Sequence, residues 1–328
     1  MESDPFLKAA VYKGPHNIKV EDVPEPRVSG RKVLMKFKAG SICGTDMHLY
    51  RGEWKIKRGR IIGHDACGVR ADTGEKVVMI PLTFCGKCYF CLRGFPSFCE
   101  RVRFYGLTRN GFFAESIALR AKNLVPVPEN VSDEEAAIVE PVALALHTLN
   151  SLKPNVGDWA TIIGQGPIGL LMTQVAKLKG CQVIAIDLED YRLELAEKYG
   201  ATVCINARKE DAAKRVMEIT GRGSDVVVEA AGTERTVEQT PFMVRKAGKV
   251  ALVGEFKGYL NLEDADGAVF FTTYISPVEY PMAVELIAKK IVDVKGLITH
   301  RFRLADFEKA LQTADNAAEK PVKIVITA

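Results

Sequence analysis

The sequence has no run of about 18 consecutive apolar residues, so it offers no membrane-spanning helix. Its opening, MESDPFLKAAVYKG, carries early acids and no apolar core, which excludes a secretory signal. Nor is there an excess of charge: Lys+Arg 45 against Asp+Glu 41 leaves +4, too little to point to nucleic acid. Internal repeats and low-complexity tracts are also missing. These absences lead us to expect a cytoplasmic protein with neither a membrane nor a nucleic acid as partner.

What is present fits an ordinary globular chain. The 328 residues, 47% hydrophobic and 26% charged, are enough for two domains with buried cores. Eight cysteines stand out. Disulfides are rare in reducing compartments, so clustered thiols point to metal.

The chain changes character along its length. Up to about residue 130, short apolar alternations broken by Gly and Pro predict strands over Lys32–Ile42, Glu75–Leu82 and Phe112–Arg120. Ser132 followed three residues later by Glu135 forms a capping-box pattern that starts a helix. From about Trp159, apolar strands alternate with amphipathic helices, among them PIGLLMTQVAKLKG and ERTVEQTPFMVRKAG. That rhythm predicts a parallel sheet covered on both faces. From about Ile291 short mixed elements return, ending in a strand at PVKIVITA.

The first strand of the α/β part leads into GQGPIG, with Gly164, Gly166 and Gly169. Between a strand and a helix, this spacing permits a tight turn and close approach of backbone N–H groups to a pyrophosphate. Asp187 ends the next strand, 23 positions after Gly164, where an acid would receive ribose hydroxyls. No Arg follows it immediately to hold a 2′-phosphate, so NAD is expected over NADP.

In CGKCYFCLRGFPSFC, Cys85, Cys88, Cys91 and Cys99 have gaps of three, three and eight. Such spacing lets four thiolates converge on a structural Zn²⁺ in a closed site. A pair of disulfides or an iron–sulfur cluster would use the same ligands. Upstream, CGTDMH supplies Cys43, Thr45, Asp46 and His48, and GHD supplies His64 and Asp65. Glu140 sits in the apolar run AAIVEPVALAL, where a carboxylate needs a partner. Cys43, His64 and Glu140 would make three mixed ligands with a fourth position open, as a catalytic zinc requires.

Together these motifs resemble the zinc-dependent medium-chain dehydrogenases, in their polyol (sorbitol-type) and threonine dehydrogenase branch. The likeness runs over nearly the whole chain, through CGTDMH, GHD, the four-cysteine lobe, GFFAES, VEPVALALH, GQGPIG, VVVEAAG and LITHRFRLADFEKAL. It implies an α/β chain with a GroES-like β-rich catalytic domain, residues 1–146 plus 291–328, and an inserted Rossmann domain, residues 147–290. It also implies a catalytic zinc on Cys43, His64 and Glu140 that polarises the oxygen of an alcohol or ketone, with hydride passing to or from the nicotinamide. Thr45 matches the residue that hands on the alcohol proton, and His48 the relay toward solvent. Pro167, Ile168, Arg192 and Val253 join the expected dinucleotide contacts, and the assembly is expected to be a homodimer or homotetramer.

The chain departs from the family in three places. The usual GHE is GHD here, so Asp65 carries a carboxylate one methylene shorter toward the metal. The segment between His64 and EKVV is about ten residues shorter, and NLEDADGAVFFTTYISPVEYP differs where relatives line the substrate pocket. A polyol, sugar alcohol or amino alcohol is the expected substrate. The basic run Lys55, Lys57, Arg58 and Arg60 raises a phosphorylated or acidic sugar as an alternative. A zinc-stabilised dinucleotide-binding module without turnover is the alternative of another class. The remaining Cys67, Cys181 and Cys204 read as small buried apolar residues.

Overall fold

The computed structural model describes residues 6–255 and 259–328; the opening MESDP lies outside the described residues. In chain order the strands are β1 (Phe6–Gly14), β2 (Asn17–Pro24), β3 (Lys32–Ser41), β4 (Arg60–Ile61), β5 (Ala66–Arg70), β6 (Lys76–Met79), β7 (Leu82–Thr83), β8 (Arg103–Phe104), β9 (Ser116–Arg120) and β10 (Leu124–Pro126). They continue as β11 (Trp159–Ile163), β12 (Gln182–Asp187), β13 (Val203–Asn206), β14 (Ser224–Glu229), β15 (Val244–Leu252), β16 (Val269–Thr272), β17 (Ile298–Arg303) and β18 (Lys323–Thr327). The helices are α1 (Gly44–Tyr50), α2 (Tyr89–Leu92), α3 (Asp133–Ala136), α4 (Val139–Leu152), α5 (Pro167–Leu178), α6 (Asp190–Lys198), α7 (Ala212–Thr220), α8 (Glu234–Glu238), α9 (Tyr280–Ala288) and α10 (Phe307–Asp315).

Two compact units result: Met1–Glu140 with Ser276–Ala328, and Pro141–Ile275. In the first, β3 is the hub. Met35, Phe37 and Ala39 face inward while Lys36 and Lys38 face out, the period-2 pattern of a half-buried strand. One seven-stranded sheet runs β10-β6-β5-β3-β18-β17, with β9 also pairing β3. A smaller sheet pairs β2, β1 and β4. Phe113 and Phe307, with ring centroids 4.7 Å apart, anchor the core between strands from distant parts of the chain.

The second unit is one parallel sheet in the order β13-β12-β11-β14-β15-β16. The strand order reverses at β11 and β14, the switch point beyond whose carboxyl ends dinucleotides bind in this architecture.

Three expectations shift. Phe112 and Phe113 are both fully buried, so the chain there crosses the core without alternating, and β9 starts only at Ser116. The helix expected over ERTVEQTPFMVRKAG ends at Glu238. Pro241 cannot donate to a continuing helix, and the chain re-enters the sheet as β15 from Val244. Finally, α9 belongs with the first unit, where the expected boundary followed it. The Asn130 amide donates to the Ala288 carbonyl at 2.9 Å, and Lys290 pairs with Glu135 at 2.7 Å. The Ser132–Glu135 capping box forms as read.

Candidate active site

At the end of β3 the chain turns into α1 at Cys43, the residue that caps this helix. The Asp46 carboxylate accepts the Cys43 backbone N–H at 3.0 Å, which fixes the sulfur at the helix start. His64 and Asp65 lie between β4 and β5. Cys43 Sγ, a ring nitrogen of His64 and a carboxylate oxygen of Asp65 lie within 4.8 Å of one another. His64 Nε2 is 3.6 Å from Asp65 Oδ1. Asp65 Oδ2 meets Ser41 Oγ at 3.2 Å and Lys323 Nζ at 3.4 Å, whereas Oδ1 is buried with no hydrogen-bond partner.

Glu140, in the first turn of α4, is buried beside this group but stands outside the 4.8 Å set among the described residues. Burial drives its pKa well above the carboxylate range. Asp65 and Cys43 push the same way, while His64 and Lys323 pull back. For His64, burial works against the charged ring. The acidic Asp65, Cys43 and Asp46 outweigh it, and the pKa is raised well above its ordinary value.

The pocket therefore holds more acidic than basic groups away from water, and one carboxylate oxygen has no donor. An unpaired buried acceptor costs roughly 1–3 kcal/mol. A divalent cation among these atoms relieves both, and thiolate, imidazole and carboxylate are the donors zinc takes. The residues fit zinc.

Thr45 Oγ1 is 4.0 Å from Cys43 Sγ. His48, three residues on and so on the same face of α1, stacks on Trp54 with ring centroids 5.0 Å apart and has its Nδ1 on the Glu53 carboxylate.

Cys85, Cys88, Cys91 and Cys99 converge as a second set, their sulfurs all within 4.8 Å of one another. The Cys85 and Cys91 sulfurs are 4.0 Å apart, and all eight cysteines are unbridged. Backbone N–H groups of Cys85 and Arg101 donate to Cys99 Sγ at 3.2 and 3.3 Å. The N–H groups of Cys91 and Glu100 bring the Cys88 pKa down to about 6, while desolvation takes Cys91 up to about 11. A loop that favours thiolate at one ligand and crowds the others is arranged for a cation. This set, too, fits zinc.

At the second unit's switch point, Gly164 adopts φ +88° after β11, and a Cβ on Gly169 would lie 1.7 Å from the Gly164 carbonyl. Only glycines allow this turn to pack. Gly166 caps α5, and Gly166, Pro167 and Ile168 are partly exposed at its N-terminus. Asp187, at the end of β12, accepts the Gln165 N–H at 2.6 Å and those of Leu188 and Glu189 at 2.7 and 3.0 Å. The acid thus ties the glycine turn to its neighbouring strand. Arg192 lies 3.8 Å from Asp187, so a guanidinium does stand beside this acid despite the LED that follows it. Val253 sits at the end of β15, donating to the Glu229 carbonyl at 2.8 Å.

Two residues escaped the sequence reading. Lys323, from the far end of the chain, is the buried counter-charge of Asp65. Tyr280 is fully buried with an unpartnered hydroxyl, and its pKa is raised by burial and then by Glu140 and Asp65. Lysines in strands and tyrosines before Pro carry no local signal of such a role. In the basic run, Lys55, Lys57 and Arg58 are exposed, while Arg60 turns into a separate cavity.

A Cys-His-carboxylate group in a β-rich unit, a four-thiol lobe and a glycine turn at the switch point of a parallel sheet define a metal-dependent dehydrogenase. Residues 29–129 match the alcohol dehydrogenase GroES-like domain, and residues 167–315 match the zinc-binding dehydrogenases. The chain belongs to this zinc-binding dehydrogenase family. It is 33% identical to sorbitol dehydrogenase of Bacillus subtilis, over 98% of this chain and 97% of that one. It is likewise 33% identical to L-threonine 3-dehydrogenase of Bacillus licheniformis, over 94% and 96% of the two chains. Among solved structures it resembles a zinc-binding dehydrogenase of Sinorhizobium meliloti bound to NADP. The TM-score is 0.93 at 27% identity, covering 99% of this chain and 100% of that one. The protein is thus an oxidoreductase that works on a small-molecule alcohol with zinc and a nicotinamide dinucleotide. No helix among the described residues is long and apolar enough to cross a membrane.

Proposed function

We propose that the protein interconverts a secondary alcohol of the polyol, sugar-alcohol or amino-alcohol class and its ketone, with NAD as the hydride partner. Cys43, His64 and Glu140 would hold the catalytic zinc, with Asp65 beside them, and Cys85, Cys88, Cys91 and Cys99 the structural one. Zinc supplies Lewis acidity toward the substrate oxygen, and the dinucleotide supplies or takes the hydride. The observation that carries the reading is the convergence of half-buried Cys43 with buried His64 and Asp65, with an unsatisfied Asp65 Oδ1.

The chain's own groups do the rest. Thr45 accepts the alcohol proton at Oγ1. His48 passes it outward, its ring fixed between Trp54 and the Glu53 carboxylate. Gly164, Gly166, Pro167, Ile168 and Gly169 present the turn to the pyrophosphate. Asp187, Arg192 and Val253 flank the remainder of the dinucleotide. The carboxylate of Asp187 favours a bare ribose over a 2′-phosphate, which supports NAD.

The exposed edge strand β16, with Val269 55% exposed, supports assembly as a homodimer or homotetramer. Thiols poised for metal support a cytoplasmic setting.

NAD⁺ reduction across hexitols, pentitols, threonine, sugar phosphates and simple secondary alcohols tests the reading, with zinc measured on the same sample. Turnover of one polyhydroxy or amino-alcohol class with two zinc ions bound is the expected result. Turnover of sugar phosphates alone would replace the substrate class. No turnover with one zinc would favour a binding module.

A further inference from the structure

Arg60 closes the basic run RGEWKIKRGR, yet no step of the chemistry uses it. It lines a cavity of about 530 Å³ in the first unit, together with Arg27, Lys32 and Arg109. Among the described residues, no acidic side chain lines the cavity and no carboxylate lies within ion-pair distance of Lys32, Arg60 or Arg109. Arg60 Nε is buried without a hydrogen-bond partner. Arg109 bonds to Tyr105, a neutral phenol that leaves the charge uncompensated.

Like charges gathered in one concavity repel, and low-dielectric walls strengthen that repulsion. Surface cations normally avoid this by pairing or by pointing apart. Here Lys32, Arg60 and Arg109 share a hollow that the apolar Leu7, Val23 and Ile117 also line. The volume falls within the roughly 300–1,000 Å³ of small-molecule sites. Guanidinium forks match phosphate oxygens two at a time, and several cations suit a group carrying more than one negative charge.

We propose that this cavity is a binding site for a small organic phosphate, with the phosphate on Arg60, Lys32 and Arg109 and the organic body against Leu7, Val23 and Ile117. The site is separate from the zinc and dinucleotide residues and does not depend on the catalytic reading.

Isothermal titration of the zinc-loaded protein, saturated with NAD⁺ to fill the dinucleotide turn, tests it. The probes are 1-naphthyl phosphate, inorganic phosphate and 1-naphthol. Naphthyl phosphate is expected to bind at least about tenfold more tightly than either fragment. The double variant Lys32→Glu/Arg109→Glu should weaken it at least about tenfold, with melting temperature and turnover unchanged. Arg60→Met should weaken it comparably. Absence of binding by the native protein, or equal binding by native protein and both variants, overturns the proposal. Equal affinity for inorganic phosphate removes the organic body from it, and equal affinity for 1-naphthol removes the phosphate.

Discussion

Lys323 Nζ lies 3.4 Å from Asp65 Oδ2, with the two side chains 3% and 0% exposed, and also donates to the Ile42 carbonyl at 3.1 Å. One ammonium thus spans the strand end before Cys43 and the carboxylate after His64. It holds the two arms of the candidate metal site at a fixed separation.

Removing that ammonium leaves Asp65 charged and buried. Lys323→Met is expected to lower stability by about 3 kcal/mol, the usual loss when one partner of a buried pair is deleted. Adding Asp65→Asn should restore part of it. Urea denaturation of the metal-free protein reads both.

The two metal groups are expected to separate by mutation. Cys91→Ser should lose one zinc per chain and retain the other. His64→Ala should lose the other and reduce turnover at least about a thousandfold. Elemental analysis beside NAD⁺ reduction distinguishes them.

Asp187 has two consequences for the dinucleotide. Asp187→Ala frees the Gln165 N–H that anchors the glycine turn and removes the ribose acceptor proposed above. We expect kcat/KM for NAD⁺ to fall about tenfold or more, with a smaller fall for NADP⁺. Equal falls would assign the acid to the turn alone.

Acid stability should report on Asp225. Burial opposes its charge, but the Arg245 guanidinium at 2.6 Å, the Trp159 N–H and then Arg222 more than offset this and hold its pKa below the ordinary value. A depressed folded-state pKa stabilises above the unfolded-state value of about 3.9. That contribution is lost as pH falls through the folded pKa. The stability advantage of the native protein over Asp225→Asn should be constant above about pH 5 and shrink below about pH 4. Thermal melts across that range measure it.

Tyr280→Phe deletes a buried hydroxyl that has no hydrogen-bond partner among the described residues. A stability gain of up to about 1 kcal/mol is expected. If the same hydroxyl meets the substrate, KM rises while zinc content stays constant. Unchanged kinetics would make the phenol a packing residue only.

Much of this molecule was readable from local spacing. The four-thiol lobe and the glycine turn each lie within one short segment, so their geometry follows from loop length and backbone sterics. Cys43 and His64 were singled out by the motifs CGTDMH and GHD and the family resemblance those motifs carry. Lys323 and Tyr280 were not, since their role arises from packing between segments far apart in sequence. The long helix expected before β15 failed for the complementary reason. Its apolar Val244 satisfies a strand as well as a helix, and Pro241 together with the neighbouring sheet decided between them.

The discontinuous first unit has a kinetic consequence. Asp65 and Lys323 are 258 positions apart, and β18 is hydrogen-bonded between β3 and the edge strand β17. Contacts of such long sequence separation form late, because loop closure must precede any gain from them. A chain that has already folded its β1–β10 segment still holds Asp65 without its buried counter-ion. Until β18 arrives, that half-built sheet shows an unpaired β3 edge beside two acids and a thiol. The refolding phase that completes the sheet should therefore be slow, and it is the same phase in which the Cys43, His64 and Asp65 group acquires its final shape.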